Sequence, residues 1–189
     1  YLRDEYCKPK GVKHIIADVT GADQDQDGYI EYIRTDQGRL KADLFFDCTG
    51  FKSQLLGEYQ GIPFFLCDNK LANDSAWAAR IPYLEETREK EMRNVTDCWA
   101  MPNGWTWDIP LWNRIGKGYV YSSRFCRKEQ ARKDFVEHLR YKVGKKRADE
   151  AELFHIDIKH GRRERAWVNN VVGIGLSYGF VEPLESTGL

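Results

Sequence analysis

Apolar and polar residues alternate along much of the chain, and turns containing glycine break the alternation. A period of two predicts half-buried strands over residues 12–19 (VKHIIADV), 29–33 (YIEYI), 74–81 and 153–159. Residues 40–48 read as one buried strand ending in Thr49-Gly50. Residues 96–101 lead through Pro102-Asn103-Gly104 into Trp105–Pro110, whose strict alternation puts Trp105, Trp107 and Ile109 on one strand face. A second hairpin is predicted from 112–115 and 119–123, turning at Gly116-Lys117-Gly118. A four-residue period appears once. Ala131, Phe135, Leu139 and Val143 predict a helix over 128–143 that Gly144 ends, with its basic residues on a solvated face. Residues 1–10 predict the end of a helix, closed by Pro9 and Gly11. Three stretches lack a period: the aromatic loop 51–73, the charged stretch 83–94, which reads as a solvated excursion between strands or else a surface helix with Glu85-Glu89 and Glu86-Lys90 four apart, and the basic turn 161–165.

The last stretch, 167–189, organises the chemistry. The run Val171–Leu176 predicts a buried strand, and Pro183-Leu184-Glu185-Ser186-Thr187-Gly188-Leu189 reads as a strand feeding a helix start. Unpaired amides and a partial positive charge at a helix start suit an anion. Glu185 would repel that anion, so the Thr187 and Gly188 amides are expected to face one way and Glu185 the other. Taken alone, Glu185 could equally counter the helix dipole. On spacing alone, Trp105 and Trp107 read as core residues of a half-buried strand.

Two apparent metal motifs fail on inspection. Asp23–Gly28 matches the first half of a calcium loop, but the twelfth position is Arg34 and the flank is strand-like, so a solvated hairpin turn is expected. His155 and His160 lie five apart on a predicted strand, face opposite sides and have no third ligand near them.

Composition narrows the class. With 29 basic and 29 acidic residues the net charge is zero, which speaks against nucleic acid or an anionic membrane as partner. No apolar run approaches the ~20 residues of a membrane span. Five widely spaced cysteines without a Cys-x-x-Cys favour free thiols in a cytoplasm over disulfides or zinc. The chain opens on Tyr1 rather than Met and stops at Leu189 where a helix is due, so an internal segment of a longer enzyme is expected.

Three segments, ADLFFDCTGF (42–51), GWTWDIP (104–110) and GFVEPLESTG (179–188), resemble in order and spacing the signatures of flavin-dependent tryptophan halogenases. The resemblance runs over nearly the whole chain and is weakest over 83–97. It implies an α/β, FAD-binding fold of the glutathione-reductase/hydroxylase kind with an antiparallel sheet on the substrate side, incomplete in this segment. Residues 1–60 and 166–189 would form the FAD-binding part, and 61–165 the sheet with one helix. The phosphate-cradling Gly-x-Gly-x-x-Gly is absent, since Gly173-Ile174-Gly175 is followed by Tyr178 at the third glycine position. It is expected upstream, as is the family's catalytic lysine.

The resemblance further implies reduced FAD from a separate flavin reductase, O2, and chloride or bromide. Together these make hypohalous acid, which halogenates the indole ring of tryptophan or a related indole. Glu185 would be catalytic, supported by Ser186, with halide at the Thr187 and Gly188 amides. Val19, Gly50, Leu176 and Leu189 would line FAD, although Val19 reads as readily as an ordinary strand residue. Trp105, Trp107, Ile109 and Pro110 would keep the flavin and the organic substrate apart. A homodimer is allowed. Two alternatives stay open: an FAD monooxygenase of the same fold that hydroxylates its substrate, and a calcium-binding or interaction module resting on Asp23–Gly28.

Overall fold

The computed structural model describes residues 1–67 and 70–181. Helical turns Leu2–Cys7 and Lys8–Lys10 open the chain and close on Gly11 at φ 86°. Strands β1 (Val19–Gln24), β2 (Ile30–Thr35), β3 (Gly38–Leu40) and β4 (Phe45–Asp47) follow. Helical turns Gly50–Lys52 and Gln54–Tyr59 lead to β5 (Phe64–Leu66). Next come β6 (Ser75–Pro82), α1 (Arg88–Glu91), β7 (Asp97–Met101), β8 (Gly104–Pro110) and β9 (Arg114–Tyr121). Then α2 (Lys128–Val143), α3 (Lys145–Glu150) and β10 (Leu153–Asp157) precede β11 (Gly161–Arg163), β12 (Trp167–Val168), β13 (Val171–Gly173) and β14 (Gly179–Phe180). The chain divides into two compact units. Among the described residues one holds Tyr1–Phe65 and Arg162–Gly179, the other residues 66–161 with Phe180 and Val181.

In the first unit, β1, β2 and β3 form an antiparallel meander, while β13 pairs parallel with β4 and antiparallel with β12. Ile30, Phe45, Leu55, Leu56, Ile62 and Val171 are its buried core. The acidic loop is the expected hairpin turn. The Asp25 carboxylate accepts from the Asp27 and Tyr29 amides, at 2.9 and 2.8 Å, and Asp23 pairs with Arg34 at 2.5 Å. Their charge goes to the turn, and the described residues hold no cluster able to bind a metal ion.

Three expectations need correcting in this unit. The strand predicted over 12–19 begins only at Val19, and Val12, Ile15 and Ile16 are exposed. The run 40–48 is two strands, because β3 joins the meander and β4 the parallel pair, so the chain must turn between sheets. The loop after Gly50 contains the turn Gln54–Tyr59, which buries Leu55 and Leu56.

The second unit is a five-stranded antiparallel sheet in the order β10-β6-β9-β8-β7. The helix α2 has the predicted bounds and buries Ala131, Phe135 and Leu139 completely against the sheet. Each large side chain so buried contributes about 1.5–3 kcal/mol. Gly144, at φ 86°, ends the helix.

The predicted turn at Gly116-Lys117-Gly118 is wrong. These residues are the interior of a continuous β9, and the chain reverses instead after β8, where the Leu111 amide donates to the Arg114 carbonyl at 2.8 Å. The glycine at 118 answers a neighbouring side chain. A Cβ there would lie 1.9 Å from Cη2 of Trp107. The stretch 161–165, expected as a turn, contributes β11. His155 bonds the Tyr121 hydroxyl at 2.9 Å, and His160, beyond the end of β10, lies between the Asn73 and Val181 carbonyls.

Candidate active site

In the first unit the site is built at the carboxyl ends of the parallel strands β4 and β13. Asp47 ends β4 and is fully buried. One of its carboxylate oxygens accepts from the Thr49 amide and hydroxyl, at 3.0 and 2.6 Å. The other accepts from the Leu55 and Leu56 amides, at 2.9 and 2.8 Å. A carboxylate with four donors is fully satisfied, so it pins the loop carrying Gly50. The Asp47 carbonyl accepts in turn from the Ile174 amide, at 3.0 Å, and from the Ser177 hydroxyl. The Ser53 hydroxyl donates to the Ser177 carbonyl at 2.6 Å. The loops after β4 and β13 are therefore tied together.

Gly50 adopts φ 66°, and a Cβ there would meet no atom within 4 Å, so its backbone faces open space. Leu176 lies on the partner loop and is exposed. Val19 joins the same network through Gln54, whose amide group donates to the Val19 carbonyl at 3.1 Å and whose backbone N–H donates to the Thr49 hydroxyl at 2.7 Å. The structure thus brings Val19, Gly50 and Leu176 into one hydrogen-bonded framework. In open α/β sheets ligands bind beyond the carboxyl ends of parallel strands.

In the second unit, β8 inverts the usual facing. Its polar residues Thr106 and Asp108 are buried, whereas Trp105, Trp107, Ile109 and Pro110 are only half-buried. The two indole rings lie 6.0 Å apart at 57°. Trp107 lies across Gly118, which pairs on its other side with Ala78. Neither tryptophan belongs to the buried cluster under α2, and both are half-buried. An open cavity of about 260 Å³ on this face is lined by Trp107, Phe154, Ile156, Leu111, Arg80 and Arg114.

Behind the tryptophans the sheet is polar. Lys117 and Asp108 form an ion pair at 2.5 Å, with side chains 3% and 9% exposed. Burial pulls the Lys117 ammonium below its ordinary pKa, and the bond to Asp108 opposes that fall. Thr106 Oγ1 lies 3.2 Å from His138 Nε2. Burial also holds His138 below the usual histidine pKa. A polar cavity of about 390 Å³ opens beside the pair. Glu91 at its rim is held below the ordinary carboxylate pKa by two hydrogen bonds from Arg147, at 3.0 and 2.5 Å.

Glu185, Ser186, Thr187, Gly188 and Leu189 lie outside the described residues. Asp47, Gln54 and Ser177, and behind β8 Asp108, Lys117 and Gly118, were not singled out from the sequence as site residues. An acid closing an apolar strand in FFDCTG and a lysine between two glycines in GKG were the available signals.

One unit thus holds a parallel strand pair with a pinned loop and the other an antiparallel sheet with half-buried tryptophans, a mixed α/β content. A family model for tryptophan halogenase matches residues 1–189, and the chain belongs to that family. The tryptophan 6-halogenase SttH of Streptomyces toxytricini is 44% identical over 97% of this chain and 34% of its own length. The tryptophan 7-halogenase RebH of Lentzea aerocolonigenes is 41% identical over 100% of this chain and 34% of its own length. The apo structure of VirX1 is 58% identical with a TM-score of 0.88, covering 100% of this chain and 35% of that one. The chain thus spans about a third of the length of the curated relatives it matches.

Proposed function

We propose that this chain is part of a flavin-dependent halogenase that acts on the indole ring of tryptophan or a related indole, using reduced FAD, O2 and chloride or bromide. The observation that carries this reading is strand β8, which leaves Trp105 and Trp107 only half-buried on one face and buries Thr106 and Asp108 on the other. A merely structural strand would bury the indoles, whose apolar area is the largest. Trp107 lying over the bare backbone of Gly118, with Trp105 next to it opposite Val120, would make a wall. Its chemical value is to let a small oxidised halide species pass while a whole indole is kept from the flavin.

The first unit supports FAD. The Gly50 backbone faces open space, and Gly50 and Leu176 stand beyond the carboxyl ends of β4 and β13, where a dinucleotide approaches. When bound, FAD would supply the redox chemistry that turns halide into hypohalous acid. The residues of the chain do the rest. Gly50 and Leu176 would hold the cofactor, with Val19 toward its adenine end. Thr187 and Gly188 would offer amides to the halide. Glu185, supported by Ser186, would polarise the electrophile or take the ring proton after substitution. Reduced FAD would come from a separate flavin reductase, and the protein would act in the cytoplasm. Among the described residues no helix is long and apolar enough to cross a membrane.

The test is turnover of the full-length protein with tryptophan, FAD, a flavin reductase and bromide, read by mass spectrometry. A brominated indole is expected. A hydroxylated product would favour the monooxygenase of the same fold. Neither product with tryptophan or with free indole would refute the reading.

A further inference from the structure

Asp108 and Lys117 are direct cross-strand partners and one of the most buried charge pairs in the second unit. Asp108 Oδ1 has no hydrogen-bond partner among the described residues. Replacing a buried ion pair by apolar side chains of equal size is often neutral or stabilising, so selection of one arrangement over another is the role such a pair can fill.

The competing arrangement is a slipped register. β9 carries Gly116 and Gly118 at alternate positions, now opposite Ile109 and Trp107. A two-residue shift of β8 would place Trp107 over Gly116 and Trp105 over Gly118, so both rings would meet bare backbone. An even shift keeps every side chain on its own face, and glycine-rich strands specify register weakly. At the other end Gly104 fits the present register, since a Cβ there would lie 1.9 Å from the Val120 carbonyl oxygen, but the reversal itself offers little resistance. It would move from Trp112-Asn113 to Leu111-Trp112, and no glycine pins either form. The opposite face would change sharply. Asp108 would face Ile115, a buried core residue, and Lys117 would face Thr106. Lys117 would then be only a diagonal neighbour, ~7–8 Å away, and a buried carboxylate with its pairing so weakened is disfavoured.

We propose that the Asp108–Lys117 ion pair locks the register of β8 on β9 and thereby positions Trp105 and Trp107. They are positioning residues, and their effect on turnover rests on the separating role argued above. A two-residue slip carries Trp107 about 7 Å along the strand, enough to open the wall.

The experiment uses the full-length protein labelled with 5-fluorotryptophan. The Trp107 fluorine resonance is assigned by its loss in Trp107→Phe. The unsubstituted protein is expected to show one Trp107 line. Asp108→Leu with Lys117→Met keeps the volume and removes the lock. It is expected to add a second Trp107 line and to raise several-fold the reduced flavin consumed per halogenated product. The reversed pair, Asp108→Lys with Lys117→Asp, is expected to restore one line and normal coupling. A single unshifted line in the Leu/Met variant overturns the lock. A second line with unchanged coupling upholds the lock and refutes the separating role instead. Should the Leu/Met variant fail to fold, Asp108→Asn removes the charge at constant shape. It is expected to show the second line, and its absence overturns the lock equally.

Discussion

Gly118→Ala adds one methyl group where the structure has an indole. The new Cβ would lie 1.9 Å from Cη2 and 2.0 Å from Cζ2 of Trp107. Carbon atoms in contact sit ~3.5–4.0 Å apart, so the ring must retreat by about 1.5 Å or more. The backbone cannot yield easily, because Gly118 is paired on both sides, with Trp107 and with Ala78. Its own conformation is ordinary strand, outside the positive-φ glycines, so alanine brings no backbone conflict. Alanine in place of a strand-interior glycine would by itself gain about 0.5–1 kcal/mol. Overpacking costs about 1–3 kcal/mol and outweighs that gain. The expected net loss is about 1–2 kcal/mol, a fall of a few degrees in Tm for a unit of this size. The assay is thermal unfolding of the full-length protein, run as a cycle with Trp107→Ala. With the indole gone, Gly118→Ala is expected to be neutral or mildly stabilising, a coupling of at least about 1 kcal/mol. Equal destabilisation in both backgrounds would refute the contact, as would an unchanged Tm.

Asp47→Asn keeps the shape but turns an NH2 group toward amide donors at one side of the carboxylate. A loss of about 1–3 kcal/mol is expected, together with weaker FAD retention measured by flavin absorbance after gel filtration. Undiminished retention would argue against the pinned loop as the cofactor seat. Burial depresses His138 and His155, so each contributes stability that is present above the unfolded pKa of about 6.5 and lost as pH falls through the folded value. Glu91, depressed by Arg147, adds a second loss below its unfolded pKa of about 4.3. Tm against pH should therefore fall in two steps, and His138→Gln should shrink the upper one. A Tm that rises on acidification contradicts this. Glu185→Gln is expected to leave flavin oxidation intact while halogenated product drops at least tenfold by quantitative chromatography. An unchanged yield removes Glu185 from the chemistry.

What was legible in the sequence depended on whether the cause lay nearby in the chain. The helix α2 was legible to the residue, because one face meets the core and its four-residue period is a local record of that burial. The break between β3 and β4 was hidden, since the change of sheet depends on β13, more than a hundred residues away. β8 shows the limit most clearly. Alternation told correctly that Trp105, Trp107 and Ile109 share a face, but period alone does not say which face is buried. Hydrophobicity favours burying the tryptophans, and the structure buries Thr106 and Asp108 instead. The misread turn at 116–118 has the same origin, because glycine there answers the Trp107 ring on the next strand. Broken local rules that gather on one element are the mark expected of a functional site. They also depend on one another. The Trp107 indole needs a partner position without a side chain, the glycines at 116 and 118 weaken the register, and a weak register needs a charge pair on the far face to hold it. Removing any one of the three should therefore disturb the position of the tryptophans before it disturbs the fold.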